Sequence, residues 1–196
     1  DLDAVDNKHD EDIIRPIYNC LAEYTEGSCD MLARPSNIEI NNRLVGFGMS
    51  NVSENNWEAV MVTILHYLSI RMDYNQTLQK ATRLIVDETQ VVSEKPGSIK
   101  QLNDAVITFR KFGGIVTMAM QNISKVLANQ KLMEIYQNCS YKCFFTQDGV
   151  DAQSLASVQP LSAKDYHMLT SGKEGEGIIV WDKKVIPFSA RIEKDN

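Results

Sequence analysis

Short apolar runs alternate along this chain with long stretches of helical periodicity, and that order leaves few architectures open. Residues 44–49, 82–86 and 115–120 read as strands. Between the first two, Val60, Ile64, Leu68 and Met72 form one apolar stripe, which predicts a helix over 57–74 with Ser53 as its N-cap. Between the second and third, Ile99, Leu102, Val106 and Phe109 form another stripe, stopped by Gly113-Gly114. Strands joined by helical crossovers run parallel, because antiparallel neighbours need only a tight turn. The expected fold class is therefore α/β, a mainly parallel sheet flanked by helices.

Beyond residue 120 the pattern shortens. Small helices are expected within 123–138, a strand at 141–146, and helices near 150–156 and 162–170. A closing hairpin pairs 177–181 with 185–189 around "WDKK". At the other end, Ile13, Ile14, Ile17, Leu21 and Tyr24 recur at helical spacing before Gly27. Residues 1–40, acidic and helical, read as an appendage or insertion, and 41–196 as the sheet-bearing part.

Charge narrows the function classes. The net charge is −6, and six acids crowd the first twelve residues. Neutralising phosphates dominates nucleic-acid affinity, so strong nucleic-acid binding is not expected of this chain. No apolar run approaches the roughly 20 residues that span a bilayer. Cys20, Cys29, Cys139 and Cys143 form no Cys-x-x-Cys pair and have no histidine at ligand spacing, so reduced thiols are expected. The Asn-x-Ser/Thr triplets at Asn51, Asn75, Asn122 and Asn138 would matter only in a secreted protein.

The chemistry concentrates where the second strand ends. "RLIVDETQVV" runs apolar residues straight into Asp87 and Glu88, and the next strand ends Met120-Gln121-Asn122. In an open parallel sheet, ligands bind at the carboxyl ends of the strands. One right-handed crossover apart, Asp87, Glu88 and Gln121 are expected to share one sheet edge. An apolar strand ending Asp-Glu suits a nucleotide-hydrolysing site, with the Asp on a magnesium-bound water and the Glu on the attacking water. A solvated strand-to-turn junction is the other reading of the same residues. The phosphate-binding loop Gly-x-x-x-x-Gly-Lys-Ser/Thr does not occur: Gly172-Lys173 is followed by Glu174 and lacks the earlier glycine. With a first residue that is Asp and not Met, that loop is expected upstream of Asp1.

Taken together, "RLIVDETQVV", "ITFRKFGGIVTMAMQNIS", "NCSYKCFFTQDGVD" and "LSAKDYHMLTSGKEGEGIIVWDKKVIPFSARI" resemble the carboxyl-terminal part of the large ATPase of type IV secretion and conjugative transfer systems. The likeness spans roughly residues 40–191 and is nearest to plasmid and integrative-element versions from Gram-positive bacteria. It implies a partial RecA-like P-loop ATPase core using ATP and Mg²⁺. It implies Asp87 as the ligand of a Mg²⁺-bound water, Glu88 as the catalytic carboxylate, and Gln121 as the γ-phosphate sensor. Arg110 would face a nucleotide, in its own subunit or a neighbour's. A cation pair at a helix end is the plainer account of Arg110 and Lys111. Met120 stands where the family more often has Thr, and Arg191 would be a second basic contact or a tail residue.

The resemblance further implies a hexamer when complete, with other secretion-channel components as partners. It implies a place at the cytoplasmic face of the bacterial membrane, reached only through those partners. Two other readings use the same motifs: a DNA-translocating coupling protein or helicase-like motor, and a non-catalytic assembly module. The first calls for a basic pore loop, and no Lys/Arg cluster exists beyond Arg110-Lys111. Tyr166, His167 and Trp181 suggest no catalytic set, His167 reading as a partly exposed helix residue.

Overall fold

The computed structural model describes residues 8–27, 30–35 and 42–190. The chain divides into two units, Asp1–Ile64 and Leu65–Asn196, with the boundary inside a helix.

In the first unit, α1 (Lys8–Thr25) extends the expected helix by about a turn at its amino end. It closes where Glu26 and Gly27 both donate to the Ala22 carbonyl. A 3-10 turn follows at Asp30–Leu32, and α2 (Glu54–Thr77) begins after Ser53. The strand expected at 44–49 does not form. Those residues are irregular, and Leu44 is 86 % exposed. A strand is stable only through a partner ladder, and here Gly46 and Gly48 face open space.

In the second unit, the carboxyl half of α2 leads into β1 (Thr82–Val86), with Asn75 donating to the Thr82 hydroxyl at 2.8 Å. The short α3 (Thr89–Ser93) and α4 (Pro96–Phe109) make the crossover, Pro96 standing in the first turn of α4, where its missing N–H costs nothing. A 3-10 turn, Arg110–Phe112, ends at Gly113 with φ +70°, a left-handed stop that glycine adopts without penalty. β2 (Gly114–Met118) then pairs parallel to β1, Leu84 opposite Val116. Alternation puts Leu84 and Val116 on the face packed by Leu68, Met72, Ala105, Phe109 and Phe112. Gly114 permits that approach, since a Cβ there would strike the Met72 thioether. The opposite face carries Ile85 (62 % exposed) and Ile115 (47 %).

After β2 come α5 (Ile123–Ala128) and α6 (Gln130–Asn138), the latter capped by the Asn129 side chain. β3 (Tyr141–Phe145) follows, then α7 (Gly149–Val158), capped by Asp148. A capping box between Ser162 and Asp165 starts α8 (Ala163–Ser171). β4 (Glu176–Trp181) and β5 (Lys184–Ser189) form the expected hairpin, turning at Asp182 with φ +55°.

The sheet is less parallel than the alternation predicts. Among the described residues β1 and β2 make one parallel pair, whereas β3, β4 and β5 make a separate antiparallel sheet. The tight Asp182 turn returns the chain at once, and β3 is hydrogen-bonded only to β4. The inner face of this second sheet buries Phe144, Ile178 and Val180, while Leu169 of α8 is also fully buried. Its outer face carries Tyr141 stacked on Trp181 (5.8 Å between ring centroids) and Phe145 edge-on to Phe188 (5.4 Å). Cys20, Cys139 and Cys143 are free thiols, and Cys29 lies outside the described residues. No helix among the described residues is long and apolar enough to cross a membrane.

Candidate functional site

The ladder between β1 and β2 runs on past the last paired residues and then breaks in a specific way. Ala119 N–H donates to the Val86 carbonyl (2.9 Å), and Thr89 N–H donates to the Ala119 carbonyl (3.0 Å). Ala119 therefore pins the chain on both sides of Asp87-Glu88. Thr89, fully buried, adds a hydroxyl bond to the Val86 carbonyl at 3.2 Å. With both flanks held, the two acids are pushed out as a knuckle.

The knuckle is strained. Glu88 has φ +47° and ψ +46°, left-handed backbone that costs a non-glycine residue about 1–2 kcal/mol. Glu88 N–H is satisfied locally by Asp87 Oδ1 at 2.9 Å. Both carboxylates stay exposed to solvent. Gln121, three residues past β2, donates through Nε2 to Glu88 Oε1 at 3.3 Å. The structure thus brings Asp87, Glu88 and Gln121 to one end of the parallel pair, the end where the expectation set them.

Arg110 lies elsewhere. It opens the 3-10 turn before β2 and is exposed at the amino end of the strand, the end opposite Gln121. A five-residue strand spans about 16 Å, so Arg110 is not part of this cluster. His167 is exposed on α8, while Trp181 is engaged with Tyr141 and lies under the Lys184 ammonium, 5.7 Å from its ring centre. Arg191 lies outside the described residues.

Hard oxygen donors at a strand tip suit Mg²⁺, which takes one or two carboxylates and fills its shell with water and substrate phosphates. Asp87 and Glu88 fit the acidic side of such a site. The other side, a glycine-rich cradle with its lysine, is not encoded between Asp1 and Asn196. No cluster of three or more His, Cys, Asp or Glu forms a self-sufficient metal cage among the described residues. A recess of about 690 Å³ in the first unit, lined by Leu21, Tyr24, Leu32, Ala59 and Val62, includes none of Asp87, Glu88, Gln121 or Arg110.

Sequence reasoning missed Asn122 and Asp151. Asp151 is 4 % exposed and accepts from Ser124 N–H at 2.9 Å and from Asn122 Nδ2 at 3.3 Å. Burial would raise its carboxyl, but the bonds from Ser124 and Asn122 outweigh that and hold it below the ordinary carboxylate value. Its only signal in the sequence was an acid in the first turn of a helix, a common placement for dipole reasons alone.

A parallel strand pair with acids at its carboxyl tip, backed by crossover helices, makes this part of the chain a mixed α/β fold. Among solved structures, the chain is similar to VirB4 of Thermoanaerobacter pseudethanolicus, with a TM-score of 0.75 and 22 % identity over 95 % of this chain. The match covers 51 % of that chain, so the sequence spans about half its length. No family model and no curated protein matches the sequence.

Proposed function

We propose that this chain is the nucleotide-hydrolysing, carboxyl-terminal half of a type IV secretion or conjugative-transfer motor. The observation that carries the reading is the Glu88–Gln121 contact on a strained knuckle at the carboxyl tip of parallel strands. Non-glycine left-handed backbone persists only where the surroundings over-determine it, and such positions gather at functional sites. The fold likeness to VirB4 supports the same class.

In this reading Asp87 would hold a water of Mg²⁺ when the ion is bound, and the ion would supply charge neutralisation at the phosphates. Glu88 takes a proton from the attacking water, and Gln121, paired to Glu88, contacts the terminal phosphate. Mg·ATP supplies the phosphoanhydride bond that is broken. Arg110, exposed at the far end of β2, serves the nucleotide of a neighbouring subunit in a hexamer. Partners are other channel components, through which the motor sits at the cytoplasmic face of the membrane. Net charge of −6, with basic residues no denser than the pairs Arg110-Lys111 and Lys183-Lys184, favours this role over a DNA pump.

The test is ATP hydrolysis by the full-length protein, parent against Glu88→Gln and Gln121→Ala. Loss of turnover with nucleotide binding retained is the expected result. Parental turnover in Glu88→Gln would leave an assembly module on the same fold as the better account.

A further inference from the structure

Gln121 can meet Glu88 only while the turn after β2 keeps its place, and that turn has no cap of its own. Asn122 stands at the N-cap of α5, yet its side chain caps nothing there. The Ser124 N–H in the first turn of α5 is satisfied from another helix, by Asp151 Oδ1 at 2.9 Å. The second oxygen of the same carboxylate accepts from Asn122 Nδ2 at 3.3 Å. One side chain on α7 thus grips the residue next to Gln121 and the residue two further on.

This grip is costly if packing were its only purpose. Burying a carboxylate needs full hydrogen-bond compensation, and an apolar side chain of similar size commonly serves helix packing as well or better. Asp151 is itself held: Asp148 Oδ1 accepts its N–H at 2.8 Å and that of Val150 at 2.9 Å, fixing the start of α7. The tie therefore runs from a capped helix through a buried carboxylate to the strand tip.

We propose that Asp151 is a positioning residue for the candidate site, fixing the Asn122–Ser124 turn so that Gln121 is held against Glu88. The inference rests on the ATPase reading above and adds the group that aims its phosphate-contacting side chain.

The experiment uses the full-length protein with Asp151→Ala, Asp151→Asn, Gln121→Ala and the Asp151→Ala/Gln121→Ala double variant. Misplacing a catalytic contact by about 1 Å costs on the order of 10²-fold, so Asp151→Ala should lower kcat about 10- to 100-fold. KM for Mg·ATP should stay within about twofold, because only the transition-state contact is lost. Asp151→Asn keeps an acceptor for Ser124 N–H and should recover most of the rate. In the Gln121→Ala background, Asp151→Ala should cost little more, the non-additivity of residues acting through one another. Independently of turnover, hydrogen exchange at the Ser124 amide should accelerate in Asp151→Ala and not in Gln121→Ala. If Asp151→Ala does not fold, Asn122→Ala removes one bond of the tie and should give the same kcat loss, smaller in size. Parental kcat in Asp151→Ala, an equal loss from it with and without Gln121, or unchanged Ser124 exchange in Asp151→Ala would overturn the proposal. Parental hydrolysis in Glu88→Gln would instead sink the ATPase reading, with Ser124 exchange still deciding whether Asp151 holds the turn.

Discussion

Gln121 and Glu88 come from neighbouring parallel strands and meet side chain to side chain at 3.3 Å, the acceptor sitting on left-handed backbone. Thr89 and Ala119 hold the chain on either side, so the strain at residue 88 is maintained by bonds that Glu88 itself does not make.

Replacing Glu88 by Gln in the full-length protein keeps the shape and the contact to Gln121 while removing the proposed base. Turnover should fall about 10²–10⁴-fold with nucleotide affinity nearly unchanged. Steady-state hydrolysis beside equilibrium nucleotide binding checks both halves.

Glu88→Gly should separate stability from activity. Glycine adopts φ +47° freely, which offsets the lost Gln121 bond, worth about 0.5–1.5 kcal/mol. The melting temperature should be unchanged or higher while turnover disappears. A clear drop in melting temperature would mean that residue 88 is not strained.

Arg110 is expected to work across a subunit boundary, since its own strand separates it from Glu88. Mixtures of full-length Arg110→Ala and Glu88→Gln subunits should regain some hydrolysis that neither variant shows alone. A planar, bidentate cation suits a neighbour's phosphates. Mixtures inactive at every ratio would reduce Arg110 to a helix-end cation.

Gly177 should tolerate no side chain. A Cβ there would run into the Phe144 carbonyl oxygen on the adjoining strand, and backbone cannot swing aside as a side chain can. Gly177→Ala should cost about 3 kcal/mol in chemical denaturation, and a loss under about 0.5 kcal/mol would contradict this geometry.

Acid should loosen the turn beside Gln121. Asp151 has a folded carboxyl value lowered by Ser124 and Asn122 despite its burial. Its contribution is present above the unfolded value of about 3.9 and is lost as pH falls through the lowered folded value. Asp151→Asn should flatten the stability–pH curve in that acid range and leave neutral pH the reference.

The sequence was a good guide wherever a local signal matched the packing. Helical positions such as Leu68, Met72 and Phe109 lie where periodicity put them, because those residues build the core behind β1 and β2. The acids and Gln121 were legible because strand ends in a parallel crossover are fixed by topology. Residues 44–49 misled because an apolar run with two glycines looks like a strand whether or not a partner exists. β3 misled because pairing direction depends on which edge it meets, a tertiary choice. Asp151 was invisible for the same reason: its partners, Asn122 and Ser124, are distant in sequence and near only in the fold.

The uncovered side of the β1–β2 pair has a practical consequence. Among the described residues, Ile85 and Ile115 are exposed on a sheet of only two strands, a combination prone to association. Association through this face would make concentration a thermodynamic variable for this chain. Its midpoint of unfolding should climb with protein concentration, and a melting curve taken at a single dilution describes an encounter equilibrium as much as a fold.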